Sequence, residues 1–123
     1  NESEFKPIEL ETHVVHEELR YHGTFDALGE FKSQPGVLWV MDWKTSNYVD
    51  VTYGLQLAAY AGAWNAQNGK TWETGVNHGG ILRLSKDPKA RKQVEAVTFN
   101  NLRRHFAAVE ATRELYEYLN QKG

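Results

Sequence analysis

The chain has 123 residues, 41% of them apolar, 24% charged and 12% aromatic, with a formal net charge of −2. That balance suits one domain, residues 1–123, and excludes a disordered tail. With no cysteine, a disulfide framework, a thiolate zinc site, a cysteine-ligated iron–sulfur cluster and a cysteine nucleophile are excluded as well. No apolar run approaches the roughly 20 residues of a bilayer span and no basic-then-apolar leader is visible, so a soluble, intracellular protein without membrane contact is expected. The first residue is Asn1 rather than Met, which suggests a fragment of a longer chain. Charge is unevenly spread: residues 1–31 hold eight acids against two bases, a local −6, and residues 83–104 hold seven bases against two acids, a local +5. One end can gather cations while the other meets an anion.

In chain order, Ile8, Leu10, Thr12 and Val14 alternate with polar neighbours, the period-two pattern of a half-buried strand. Tyr21 to Phe31 reads as a second strand, and Ser33-Gln34-Pro35-Gly36 supplies turn chemistry before the apolar run Val37 to Met41. These three segments form an antiparallel meander with the third strand central. Asp50 or Thr52 can cap a helix to about Asn68, whose apolar face includes Leu55, Leu57, Ala58, Ala61 and Trp64. Val76 to Leu84 and Gln93 to Phe99 read as a strand hairpin across the charged turn at 85–89. Asn100 caps a last helix along which Leu102, Phe106, Val109, Leu115, Tyr116 and Leu119 trace a stripe. The order is βββαββα, an α+β (mixed α/β) domain with one sheet and helices packed on it.

Chemistry concentrates where the third strand ends. Asp42-Trp43-Lys44-Thr45 follows the apolar run directly, and side chains two apart share a face, so Asp42 and Lys44 point together while Trp43 points away and packs. A carboxylate and an ammonium on one face of a central strand are costly to bury unless they pair or bind something. The spacing alone is weak evidence, because Asp87-Pro88-Lys89 and Glu30-Phe31-Lys32 repeat it in turns. Asp26, in Gly23-Thr24-Phe25-Asp26 on the preceding strand, is expected on the face opposite Phe25 and Ala27. Neighbouring strands lie about 4.8 Å apart, which lets Asp26 and Asp42 converge if the register matches. Two such carboxylates raise each other's pKa unless a cation lies between them, and hard oxygen donors suit Mg²⁺ or Mn²⁺. Gln56 and Tyr60, four apart, share one helix face.

The ordered set GxxD (Gly23 to Asp26), DxK followed by Thr (Asp42, Lys44, Thr45) and QxxxY (Gln56 to Tyr60) resembles the PD-(D/E)XK nuclease superfamily, in particular its RecB-like exonuclease branch of phage and bacterial recombination enzymes. The match runs from about Glu9 to Tyr60. The resemblance implies a restriction-endonuclease-like fold with a central mixed sheet flanked by helices. It also implies a Mg²⁺- or Mn²⁺-dependent deoxyribonuclease, an exonuclease, in the cytoplasm of a bacterial or phage-infected cell. Residue by residue, Asp26 and Asp42 would bind the ion with the backbone carbonyl of Trp43. Lys44 would orient the attacking water and neutralise charge on the phosphate. Gln56 and Tyr60 would position the lysine and the DNA backbone, and Thr45 would donate to a phosphate. The basic stretch with Arg83, Arg91 and Lys92 would then follow the DNA strand. One departure stands out. The branch usually has a helix before the first strand that adds a histidine or glutamate to the metal site, and this chain has no room for it, which leaves Glu9 and Glu11 as substitutes. His22, beside Gly23, is the one histidine near the motif, and the tryptophans are read as packing residues. The assembly is open between a homo-oligomer and a larger recombination complex, and the rival to an enzyme is a catalytically silent module of the same fold that binds nucleic acid or a protein.

Overall fold

A computed structural model describes residues 4–45, 52–89 and 94–120. They form β1 (Phe5–His16), β2 (Tyr21–Phe31), β3 (Leu38–Thr45), α1 (Tyr53–Gln67), β4 (Val76–Leu84), β5 (Val94–Phe99) and α2 (Leu102–Asn120), the expected βββαββα order. The strands make one five-stranded sheet in sequence order, with β3 in the middle. Neighbours are antiparallel except β3 and β4. A parallel pair needs a long crossover, and α1 supplies it, which makes the sheet mixed. Asp50 and Gln93 lie outside the described residues; Thr52 occupies the N-cap position of α1, its carbonyl accepting the Gln56 N–H at 3.0 Å.

Both helices lie on the same face of the sheet: Leu57 of α1 and Leu102 of α2 meet beside Gly79 of β4. The core joins Phe25, Leu28, Val40 and Ile81 from the strands to Leu57, Ala58 and Ala61 from α1 and to Leu102 and Phe106 from α2. Burying each large apolar side chain contributes roughly 1.5–3 kcal/mol, so this face anchors the sheet. The small residues of α1 let α2 approach closely; a Cβ built on Gly62 would fall 2.2 Å from the Phe106 ring. Three polar ties fix α1 over β1 and β2. Trp64 Nε1 donates to Glu9 Oε2 at 3.2 Å, the Val15 amide donates to Gln67 Oε1 at 2.9 Å, and the Tyr21 hydroxyl donates to the Ala59 carbonyl at 2.6 Å. Among the described residues no helix is long and apolar enough to cross a membrane.

Two expectations need correction. The stripe on α2 packs only in its first half: Leu102 and Phe106 are buried, whereas Leu115, Tyr116 and Leu119 are each more than half exposed. At the start of that helix, the Arg103 amide donates to Asn77 Oδ1 of β4 at 2.8 Å, so a side chain from a neighbouring strand meets the N-terminal donor that Asn100 was expected to serve.

Candidate active site

The antiparallel β2–β3 ladder runs from Gly29 opposite Trp39 to Ala27 opposite Met41 and stops there. One residue further, the Asp26 side chain replaces the ladder: its Oδ2 accepts the Trp43 backbone N–H at 2.8 Å. Simple alternation would put Asp26 on the face opposite Phe25, but Phe25 packs against Tyr60 of α1, with ring centroids 6.2 Å apart, and Leu28 faces the same helix-side core. An odd and an even residue on one face require the alternation to change phase between them. The partner strand does the same: Glu9, opposite Leu28, bonds Trp64 of α1, yet Val14 is in that core too. Between them Glu11 has φ 44, the kind of backbone irregularity that re-aims a side chain. Phe25 and Asp26 therefore both face α1, and Asp26 reaches Asp42.

Asp42 is 4% exposed. Burial first, then its hydrogen bond and proximity to Asp26, push its carboxyl from 3.8 to about 6, against the pull of Lys44. The Lys44 ammonium contacts Asp42 Oδ2 at 2.8 Å and lies over the ring of Tyr53, 5.5 Å from its centroid. Across from the strand, Tyr60 hydrogen-bonds Gln56, and its hydroxyl is held above the usual tyrosine range by burial and then by Asp42 and Asp26. A Cβ on Gly23 would lie 2.7 Å from Tyr60 Cε1, which gives the glycine of the GxxD motif a physical reason: it makes room for this ring. Asp26, Asp42, Lys44, Gln56 and Tyr60 thus share one small region between the end of β3 and α1.

The other candidates sort differently. Thr45 is exposed at the last position of β3. Arg83 is the register partner of Lys44, so it belongs to the same face, but its guanidinium is paired with Glu95, Nη2 at 2.9 Å and Nε at 3.0 Å. Arg91 and Lys92 lie outside the described residues. Trp43, expected to pack on the far side of the strand, is 48% exposed there, because both described helices cover the opposite face. Of the proposed substitutes, Glu9 serves Trp64, and Glu11 is exposed. The His22 ring packs on His13, centroids 5.2 Å apart, and His13 bonds Thr24, so neither joins the carboxylates through these contacts. The decoy triplets hold turns: Asp87 accepts the Lys89 amide at 2.9 Å, and Glu30 the Gly36 amide at 3.3 Å. Tyr53 is the neighbour that sequence reasoning missed. It sits nine positions beyond Lys44 at the start of a helix, and no local spacing connects the two.

The donor chemistry fits a hard divalent ion. Two carboxylates in contact, one of them buried and forced toward its neutral form, are stabilised as anions by a cation placed between them. Among the described residues no group of three or more His, Cys, Asp or Glu converges. A carboxylate pair is nevertheless the usual protein contribution to a Mg²⁺ site, with water and substrate oxygens filling the remainder.

The family model for the PD-(D/E)XK nuclease superfamily matches residues 1–122. The chain belongs to this superfamily. Of the residues quoted for the motifs, Gly23, Asp26, Asp42, Lys44, Gln56 and Tyr60 come together near the end of β3, whereas Thr45 is exposed at its last position. Over 84 residues the chain is 40% identical to mitochondrial genome maintenance exonuclease 1 of Xenopus tropicalis, covering 63% of this chain and 23% of that protein. Over 62 residues it is 44% identical to the exonuclease of the same name from Mus musculus, covering 46% of this chain and 18% of that protein. The chain therefore spans less than a quarter of the length of these relatives. The crystal structure of SSO0001 shares the fold at a TM-score of 0.53 and 17% identity, over 87% of this chain and 50% of that one.

Proposed function

We propose that this PD-(D/E)XK domain is a metal-dependent deoxyribonuclease that hydrolyses the phosphodiester bonds of DNA as an exonuclease. The observation that carries the reading is the meeting of Asp26, Asp42 and Lys44 beyond the last β2–β3 ladder pair, opposite Gln56 and Tyr60. The relatives named as exonucleases support the end-directed mode.

Asp26 and Asp42, with the backbone carbonyl of Trp43, would hold Mg²⁺ or Mn²⁺, which when bound supplies a Lewis acid for the phosphate and a more acidic water. Lys44 presents a fixed positive charge to the phosphate oxygens as negative charge builds on them; an ammonium already oriented by Asp42 needs little rearrangement at that moment. Tyr60 keeps its proton at neutral pH and donates it in a hydrogen bond to the strand, with Gln56 orienting the hydroxyl. Thr45 donates to a neighbouring phosphate. Arg83, held by Glu95, lies beside Lys44, and the sequence stretch that includes Arg91 and Lys92, outside the described residues, supplies further positive charge for the DNA backbone.

End-labelled linear DNA and a covalently closed circle, each incubated with the protein and Mg²⁺ or Mn²⁺ and then with EDTA, test the proposal. Chelator-sensitive loss of the linear DNA with the circle intact is the expected result. Linear DNA left unchanged but shifted in mobility would instead make the chain a silent binding module, and a nicked circle would make it an endonuclease.

A further inference from the structure

Among the described residues, the ammonium of Lys44 has two partners of different character. Asp42 Oδ2 lies 2.8 Å away, and the Tyr53 ring faces it with its centroid at 5.5 Å, inside the roughly 6 Å reach of a cation–π attraction. Tyr53 is the first residue of α1 and packs, partly buried, against the core cluster, so its ring is carried on a rigid element. Lys44 is itself mostly covered, its side chain 24% exposed, which limits the solvent screening that weakens such contacts at open surfaces.

The two partners respond differently to a cation at the carboxylates. Asp42 is both the salt-bridge partner of Lys44 and one of the two acids suited to a divalent ion, and its charge cannot serve both fully. The face of an aromatic ring attracts the ammonium through its quadrupole and offers a divalent ion no oxygen donor on that face. It therefore keeps its hold whichever way the carboxylate is engaged.

We propose that Tyr53 is a positioning residue: its ring face fixes the Lys44 ammonium in the orientation that a phosphate meets, independently of Asp42. The functional half of this inference rests on the nuclease reading above; the contact itself does not. The contact with Lys44 is made by the ring face, which separates this role from a hydrogen-bonding one.

The test compares wild type with Tyr53→Phe, which keeps the ring, and with Tyr53→Leu and Tyr53→Met, which keep apolar bulk without it. Lysine-labelled protein free of metal, with Lys44→Met to assign the resonance, reads the contact directly. The Lys44 ε-methylene signal is expected upfield in wild type and Tyr53→Phe, and at the ordinary lysine position in the ringless variants. On linear DNA, kcat is expected to fall roughly 3- to 30-fold in the ringless variants with KM within about twofold, and to stay within about twofold in Tyr53→Phe. An undisplaced Lys44 signal in wild type, wild-type kcat in the ringless variants, or a Tyr53→Phe protein as impaired as Tyr53→Leu would each overturn the proposal. A wild-type protein that cleaves no DNA would remove the nuclease reading and with it the catalytic half of the inference, and the Lys44 resonance would still decide the contact.

Discussion

Asp42 should make the metal-free protein less stable as pH rises, and Asp42→Asn should remove that loss. Its carboxyl titrates at about 6 in the folded chain against 3.8 for an ordinary solvated aspartate, so ionisation is disfavoured by folding. Below the unfolded value the group is neutral in both states and costs nothing; the penalty grows as pH climbs through about 6 and is complete above it. At 1.36 kcal/mol per pKa unit the full penalty is about 3 kcal/mol, and Asp42 is buried enough for little of it to be screened. The attraction of Lys44 is already included among the causes of that shift. Asparagine keeps the shape and drops the charge, so at pH 8 without metal the variant should melt higher by roughly 8–12 °C, with the gain fading toward zero near pH 4. Calorimetry or thermal fluorimetry in EDTA across that range reads both numbers. Added Mn²⁺ should then raise the melting point of wild type more than that of the variant. A gain that is absent at pH 8, or equal at pH 4 and pH 8, would refute the argument that burial beside Asp26 strains this acid.

Two other substitutions probe the same region. Lys44→Met should lower kcat on linear DNA by roughly 100- to 1,000-fold, the effect of deleting one preorganised charge at a transition state, while the protein still melts cooperatively; a rate within threefold of wild type would remove Lys44 from the chemistry. Gly23→Ala, whose Cβ would meet the Tyr60 ring at 2.7 Å, should cost about 1–3 kcal/mol by overpacking. Combining it with Tyr60→Ala should bring a cost well below the sum of the two, and strict additivity in that double-mutant cycle would count against the steric account.

How legible this was in the sequence depended on whether the deciding contact was local. The bounds of β2 and β4 were readable because turn residues punctuate both, and the common face of Asp42 and Lys44 followed from alternation alone. The phase change on β1 and β2 was hidden: on β1 it accompanies a positive φ at Glu11, and glutamate carries no signature of that. The cap at Arg103 comes from Asn77, 26 positions away, and the ring over Lys44 from a different element, so neither could be found by spacing. The exposed half of α2 misled for another reason, since a helical stripe shows which residues share a side without showing what lies opposite.

The carboxylate of Asp26 does a piece of backbone work, taking the Trp43 amide where the β2–β3 ladder gives out. Assembly of the acidic pair and closure of that part of the sheet are thereby one event. A chain that has not paired β2 with β3 presents no paired acids, so a slip in that strand register would be felt first as loss of the acidic pair.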